Sequence, residues 1–218
     1  MQIEIEGHPL HLLAEGAAFD PDARTLFVAD LHLGKTNVFR EAGLALPDGP
    51  DAANLVRLAR LVADTEARTL LILGDVFHAR SAGIERTLVA WCGEHSQLQC
   101  CIVPGNHDRR IPWREWLPCA EVLREGARAG PFRVAHHPPE EADAITLCGH
   151  LHPGIAIGKP RERKLRVPCF WLRRRALVLP AFGEFTGLQT IEREPADRVW
   201  VATAGRVVEL PGRRERAR

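Results

Sequence analysis

The stretch Thr69-Leu-Leu-Ile-Leu-Gly-Asp75 decides the fold. It is a short apolar run closed by a turn residue and a carboxylate, the pattern of a strand buried on both faces. Two other runs read alike: Thr25–Ala29 ends at Asp30, and Gln99–Val103 ends at Pro104–Gly105. Helical patterns lie between them. Pro50 suits the first turn of a helix, and Leu55, Leu58, Leu61 and Val62 then fall on one face. Ile84, Leu88 and Trp91 are spaced by four and three, so Gly83–His95 reads as a second amphipathic helix. A short helix is expected over Lys35–Glu41, stopping at Gly43. This alternation implies a largely parallel sheet.

The flanks differ. Ile3–Ile5 and Leu10–Leu13 around Gly7–Pro9 read as a hairpin. Phe132–Ala135, Ala144–Cys148, Ile155–Ile157, Val167–Leu172, Ala176–Leu179, Arg198–Ala202 and Arg206–Leu210 read as short strands with few helical patterns between them. They are expected to form a second, mostly antiparallel sheet packed on the first. The expected fold is α/β: a four-layer α/β/β/α sandwich, two mixed sheets flanked by helices. No repeat or linker divides residues 1–218, so one domain is expected. Strands within 153–210 complete its second sheet, and 211–218 form a tail.

Composition narrows the class. A hydrophobic fraction of 45% and a charged fraction of 26% are those of a soluble globular protein. No apolar run reaches membrane-span length, and the first residues, with Glu4 and Glu6, do not read as a signal peptide. Cys92, Cys100, Cys101, Cys119, Cys148 and Cys169 form no C-x-x-C pair and several lie in apolar runs, which suits reduced thiols in a cytoplasmic protein. A net charge of +1 argues against holding nucleic acid by bulk electrostatics. Basic residues do cluster, at Arg161, Arg163, Lys164 and Arg166, at Arg173–Arg175, and at Arg213, Arg214, Arg216 and Arg218. They form either a solvated face and frayed tail or a rail for a phosphate backbone.

Five polar strings sit at strand ends: D-L-H at Asp30–His32, G-D at Gly74–Asp75, G-N-H-D at Gly105–Asp108, H-H-P at His136–Pro138 and G-H-L-H at Gly149–His152. Ligands of open α/β sheets gather beyond the carboxyl ends of strands. Asp30 and His32, two apart, point to one side if the chain is extended; His150 and His152 repeat that spacing. Asp75 has two oxygens with which to bridge two cations, and Asn106 offers a neutral carbonyl. This sulfur-free set suits Mn, Fe, Zn or Co and argues against calcium. Two such ions would activate water and clamp a phosphoryl group.

The set resembles the calcineurin-like metallophosphoesterases, whose pattern is D-x-H, G-D, G-N-H-[DE], H and G-H-x-H. The resemblance implies that Asp30, His32, Asp75 and His152 hold one ion and Asp75, Asn106, His136 and His150 the other. It implies that His107 is the non-ligand histidine at the phosphate and that Asp108 orients its ring. It favours His136 over His137 because the family ligand stands two residues before a proline. Where many relatives have Asp three residues after the bridging one, this chain has His78, which either faces substrate or is a surface histidine.

A narrower resemblance lies in D-L-H-L-G-K at Asp30–Lys35, R-E-A-G-L-A-L-P at Arg40–Pro47, V-P-C-F at Val167–Phe170 and L-P-A-F-G-E-F-T-G at Leu179–Gly187. These segments look like the ligase-associated DNA damage response endonucleases (PdeM-like). That implies a bacterial cytoplasmic enzyme with two divalent metals, Mn²⁺ above all, acting on DNA phosphodiesters, single-stranded or nicked. It also implies association with an ATP-dependent DNA ligase, a helicase and a β-CASP nuclease. Exposed ends of the late strands would permit a homodimer. Lys35, Arg40, Arg109 and Arg110 are either contacts to flanking phosphates or ordinary surface charges. Trp113 and Trp116 either stack on a base or pack the core. Two other functions fit the same residues: a phosphodiesterase for a cyclic nucleotide or nucleotide-sugar lipid, and a non-catalytic, metal-stabilised repair scaffold.

Overall fold

The computed structural model describes residues 1–36, 49–78, 83–158, 164–184, 186–203 and 205–212. Arg40, the Arg40–Pro47 segment, most of the expected Lys35–Glu41 helix, Arg161, Arg163 and the 213–218 tail lie outside them.

The first sheet runs in chain order: β1 (Gln2–Ile5), β2 (His8–Leu12), β3 (Ala18–Asp20), β4 (Thr25–Val28), β5 (Thr69–Leu73), β6 (Gln99–Val103) and β7 (Ala120–Val122). Pairs from β1 to β4 are antiparallel and pairs from β4 to β7 are parallel. The expected hairpin and parallel strands are all found. Helices α1 (Pro50–Thr65) and α2 (Ile84–Glu94) make the crossovers between β4, β5 and β6, and the single turn α3 (Trp113–Trp116) precedes β7.

The second sheet contains β8 (Ala127–Ala129), β9 (Phe132–Val134), β10 (Thr146–Cys148), β11 (Pro153–Ile157), β12 (Leu165–Arg173), β13 (Ala176–Val178), β14 (Gln189–Thr190), β15 (Arg198–Thr203) and β16 (Arg206–Glu209). Its order is β14-β11-β12-β13-β10-β9-β8, with β15 also beside β12 and β16 beside β15. Five pairs are antiparallel. Three are parallel, β9–β10, β10–β13 and β11–β14. The parallel β9–β10 pair matters for function, because it sends His136 and His150 off the same sheet edge.

Residue alternation separates three apolar layers. On β4, Leu26 and Val28 face α1 and α2, packing with Leu58, Leu88 and Trp91. Phe27 faces the other way, with Leu71 and Val103, against Phe132, Leu147, Phe170, Leu177 and Trp200 of the second sheet. The α/β fold of two packed mixed sheets is the expected one; of the two helical layers expected, the described helices supply the one on the first sheet. Outside the second sheet, Trp171, Val178, Val199 and Val201 are covered by Leu151, Ile191 and Leu210 from strand ends and loops. Cys119 is exposed, the other five cysteines are buried, and all six are free thiols. No helix among the described residues is long and apolar enough to cross a membrane.

Phe27 is fully buried between the sheets and meets the Phe132 ring edge-on at 6.2 Å. Phe27→Ala is expected to cost about 3–5 kcal/mol, read as a fall in urea midpoint with the slope unchanged.

Candidate metal centre

The ligand motifs follow β4, β5, β6, β9 and β10, whose carboxyl ends meet at one edge of the sandwich. Backbone bonds join these loops to one another. The amides of Asp30, His32 and Leu33 donate to the carbonyls of Gly74, Asp75 and Val76, extending the β4–β5 pairing past the strands. Gly149 N donates to His136 O, doing the same for β9 and β10.

The backbone that aims the side chains is not the extended one expected from the i, i+2 spacing. Asp30 and His32 have φ of 54° and 47°, and His150 and His152 have 71° and 44°. Asp75 has 48°. The paired residues point together because both adopt the left-handed conformation, which costs a non-glycine residue roughly 1–2 kcal/mol. Strain of this kind persists where surrounding structure over-determines it.

The side chains form two groups. In one, His32 Nε2 and His152 Nε2 are 3.2 Å apart, and His152 Nε2 is 3.5 Å from Asp30 Oδ1. In the other, His136 Nε2 lies 3.0 Å from Asn106 Oδ1 and 3.1 Å from His150 Nδ1. Asp75 joins them: Oδ2 is 3.8 Å from His32 Nε2, and Oδ1 is 3.6 Å from His136 Nε2. The two oxygens of one carboxylate thus face two separate nitrogen-rich groups.

The residues fit a pair of divalent cations. Asp30 Oδ1 is buried with no hydrogen-bond partner, while Oδ2 accepts the His150 amide at 2.9 Å. A sealed, unpaired carboxylate oxygen is costly unless a cation meets it. Imidazole nitrogens crowded at hydrogen-bond distance need neutral rings to bind metal. Burial, reinforced by His152, Lys35 and its neighbours, pushes His32 down to about 2, and burial beside His136 and His137 lowers His150 as well. Both shifts favour the neutral ring that a metal ligand requires.

Second contacts fix the ring orientations. Leu73 O lies 3.0 Å from His136 Nδ1 and can only accept, so Nδ1 carries the proton and Nε2 is free. His137, by contrast, is exposed, and its Nδ1 lies 3.0 Å from Glu125 Oε1. Glu125 also accepts the amides of His136 and His137. It carried no signal in the sequence. Two glycines make room: a Cβ on Gly74, itself at φ 82°, would strike the His136 ring, and one on Gly149 would stand 2.6 Å from Asp30 Oδ2.

His107 is exposed and borders the first group, its ring 5.2 Å from that of His32; its amide donates to Asp75 Oδ1 at 2.9 Å. Its Nδ1 meets the carbonyl of His78 at 2.8 Å, and the two rings stack at 5.0 Å. This corrects the expectation for Asp108. That carboxylate does not orient the ring; it is buried and accepts the amides of Val76, Phe77 and Gly105. Burial pushes its carboxyl up against the pull of those bonds. Asp108 thereby ties the G-N-H-D turn to the loop after Asp75. His78 is a neighbour of the site, its Nδ1 3.4 Å from His32 Nδ1.

The remaining residues divide. Lys35 is half-buried near His32 and His78, and burial lowers its ammonium. Arg109 and Arg110 are exposed just after Asp108. Trp113 and Trp116 pack on Phe77, with ring centroids 5.9 and 5.6 Å away, so they belong to the core. In the Arg173–Arg175 run, Arg173 lies over the Trp171 ring and Arg175 pairs with Glu6 at 2.8 Å.

Residues 23–155 match the calcineurin-like phosphoesterase family. The structure is similar to the crystal structure of Pseudomonas putida nuclease MPE, with 35% identity and a TM-score of 0.80, over 96% of this chain and 99% of that one. It is more distantly similar to Yfce, a phosphoesterase from E. coli, with 17% identity and a TM-score of 0.43, over 81% and 86% of the two chains. No curated protein matches the sequence.

His136→Ala is expected to remove one of two bound divalent ions per chain, and His137→Ala to leave both. Metal analysis after gel filtration counts them, and two ions retained by His136→Ala would reverse the assignment.

Proposed function

The chain belongs to the calcineurin-like phosphoesterase family, and from that premise we propose that it is a dinuclear metal-dependent nuclease that hydrolyses DNA phosphodiester bonds. The observation that carries the reading is Asp75, which turns one oxygen toward each of two separate ligand groups. The similarity to a nuclease over nearly the whole chain supports a nucleic-acid substrate, and DNA follows from the narrower resemblance to the ligase-associated endonucleases.

In this reading Asp30, His32, Asp75 and His152 hold one cation and Asp75, Asn106, His136 and His150 the other. When bound, the pair supplies Lewis acidity, activating water near neutral pH and neutralising charge on the phosphoryl oxygens. The protein fixes the geometry. Leu73 O holds the His136 tautomer, and Asp108 holds the turn that presents Asn106 and His107. With its Nδ1 proton given to His78 O, His107 directs Nε2 outward from the exposed turn. Protonated there as well, Nε2 would donate a hydrogen bond to the scissile phosphate and supply the proton that the leaving alkoxide takes up. Lys35 and Arg109 add positive charge for flanking phosphates.

Mn²⁺ as the working metal, internal cleavage, a cytoplasmic DNA-repair setting and association with an ATP-dependent ligase, a helicase and a β-CASP nuclease belong to the same proposal. They rest on the narrower resemblance of Asp30–Lys35 and Leu179–Gly187.

The test is a panel with Mn²⁺ on circular single-stranded DNA, linear DNA, a chromogenic diester and a cyclic nucleotide. Cutting of the circle is expected. Turnover of the cyclic nucleotide alone would move the substrate to a small diester. His107→Ala is expected to keep both metals and lose about 10²–10⁴-fold in DNA turnover. Asp75→Asn is expected to lose metal as well as activity; two metals and full rate in that variant would contradict the bridging role.

A further inference from the structure

We propose that Arg57, on α1 and away from every ligand motif, is a positioning residue that sets the strained Asp30–His32 loop through the Phe182–Glu184 segment. The inference rests on the dinuclear reading of the site and deepens it.

The contacts form a chain. The Arg57 guanidinium donates to the carbonyl of Phe182 and, at 3.2 Å, to Asn54 Oδ1, and it lies 4.2 Å over the Phe182 ring. Asn54 is buried, and its Oδ1 also accepts the Glu184 amide at 3.3 Å. Beyond that grip, Phe182 N donates to Ala29 O at 2.8 Å and Gly183 N donates to Asp30 O at 3.0 Å. Two side chains of α1 thus hold Phe182 and Glu184, the two ends of a three-residue segment, and Phe182 and Gly183 in turn bond the carbonyls of Ala29 and Asp30. One turn earlier, Asp51 Oδ2 accepts the amide of Gly34 at 3.0 Å, closing the far end of the same loop.

Arg57 is costly for ordinary packing. Its Nε is buried without a partner, and the acid nearest its head, Glu184, is 3.6 Å away and half exposed. Such a pair contributes little to stability. A half-buried guanidinium with an unpaired, sealed Nε is better explained by the register it imposes than by the energy it adds. That register matters here because Asp30 and His32 are both left-handed and need outside constraint. It also gives part of the Leu179–Gly187 motif a physical purpose: its backbone carries the α1 contact to the metal loop.

The test compares Arg57→Met, which keeps the aliphatic stem, with Arg57→Lys, Glu184→Gln and a control, Val201→Ala, on the far face of the second sheet. Mn²⁺ is titrated calorimetrically into metal-free protein, and thermal unfolding is recorded without metal. Arg57→Met is expected to weaken the Mn²⁺ site containing Asp30 by about tenfold or more, with Arg57→Lys intermediate. Glu184→Gln and Val201→Ala are expected to bind as wild type. Wild-type affinity in folded Arg57→Met overturns the proposal, as does a loss that Val201→Ala reproduces at equal melting temperature. Wild-type protein that binds two Mn²⁺ but cuts no DNA would remove the nuclease reading and leave this one standing. DNA cleavage with unchanged Mn²⁺ affinity in Arg57→Met would remove only this one.

Discussion

Asp30 Oδ1 sits in the interior with no proton donor to meet it, while the carboxylate's other oxygen is tied to the His150 amide. His152 Nε2 and His136 Nδ1 approach it at 3.5 and 3.9 Å, and burial together with neighbouring charge keeps the nearby His32 ring neutral. Without a cation this arrangement is a charge held away from water with nothing to offset it. The surrounding structure is the means of holding it there. Ladder bonds run past the strand ends, bare glycines let loops close on one another, and buried carboxylates take up loose amides.

The left-handed ligands make the same point from the backbone. Five of the proposed ligands adopt a conformation that their residue types avoid. They are short polar residues on loops, and loops alone would relax. They are held because each loop is bonded to the next: Asp30 to Gly74 and Gly183, His32 to Asp75, Gly149 to His136. Asp108 and Glu125 work in the same way, as carboxylates that gather backbone N–H groups rather than touch the reacting atoms.

Much of this was legible before the structure. Thr69–Leu73 and its neighbours are apolar throughout because helices and a second sheet cover both faces, so those strands and their terminal motifs stood out. The strands β3, β7, β8 and β14 did not, since two or three residues show no period and their pairing is set by distant partners. The family pattern favours His136 over His137 by its distance from a proline; what the sequence could not show is the contact of the His136 ring with the Leu73 carbonyl, far away in the chain. The resemblance implies that Asp108 orients the His107 ring; the structure instead turns its carboxylate inward, onto the amides of Val76, Phe77 and Gly105. Arg57 carries no distinguishing signal in the sequence; only folding brings its head over the Phe182 ring.

The proposed ligands come from both halves of the sandwich: Asp30, His32, Asp75 and Asn106 from one sheet, His136, His150 and His152 from the other. The cluster therefore spans a seam, and the width of that seam is set by its filling, where Trp200, Leu147 and Phe170 press on Leu71 and Val103. Close-packed interiors yield little. The two sheets act as the jaws of a calliper, and a side chain slightly larger or smaller in the filling resets their gap at the tips. Preference among cations of different radius can thus drift through changes deep inside the protein, with every coordinating residue left as it is.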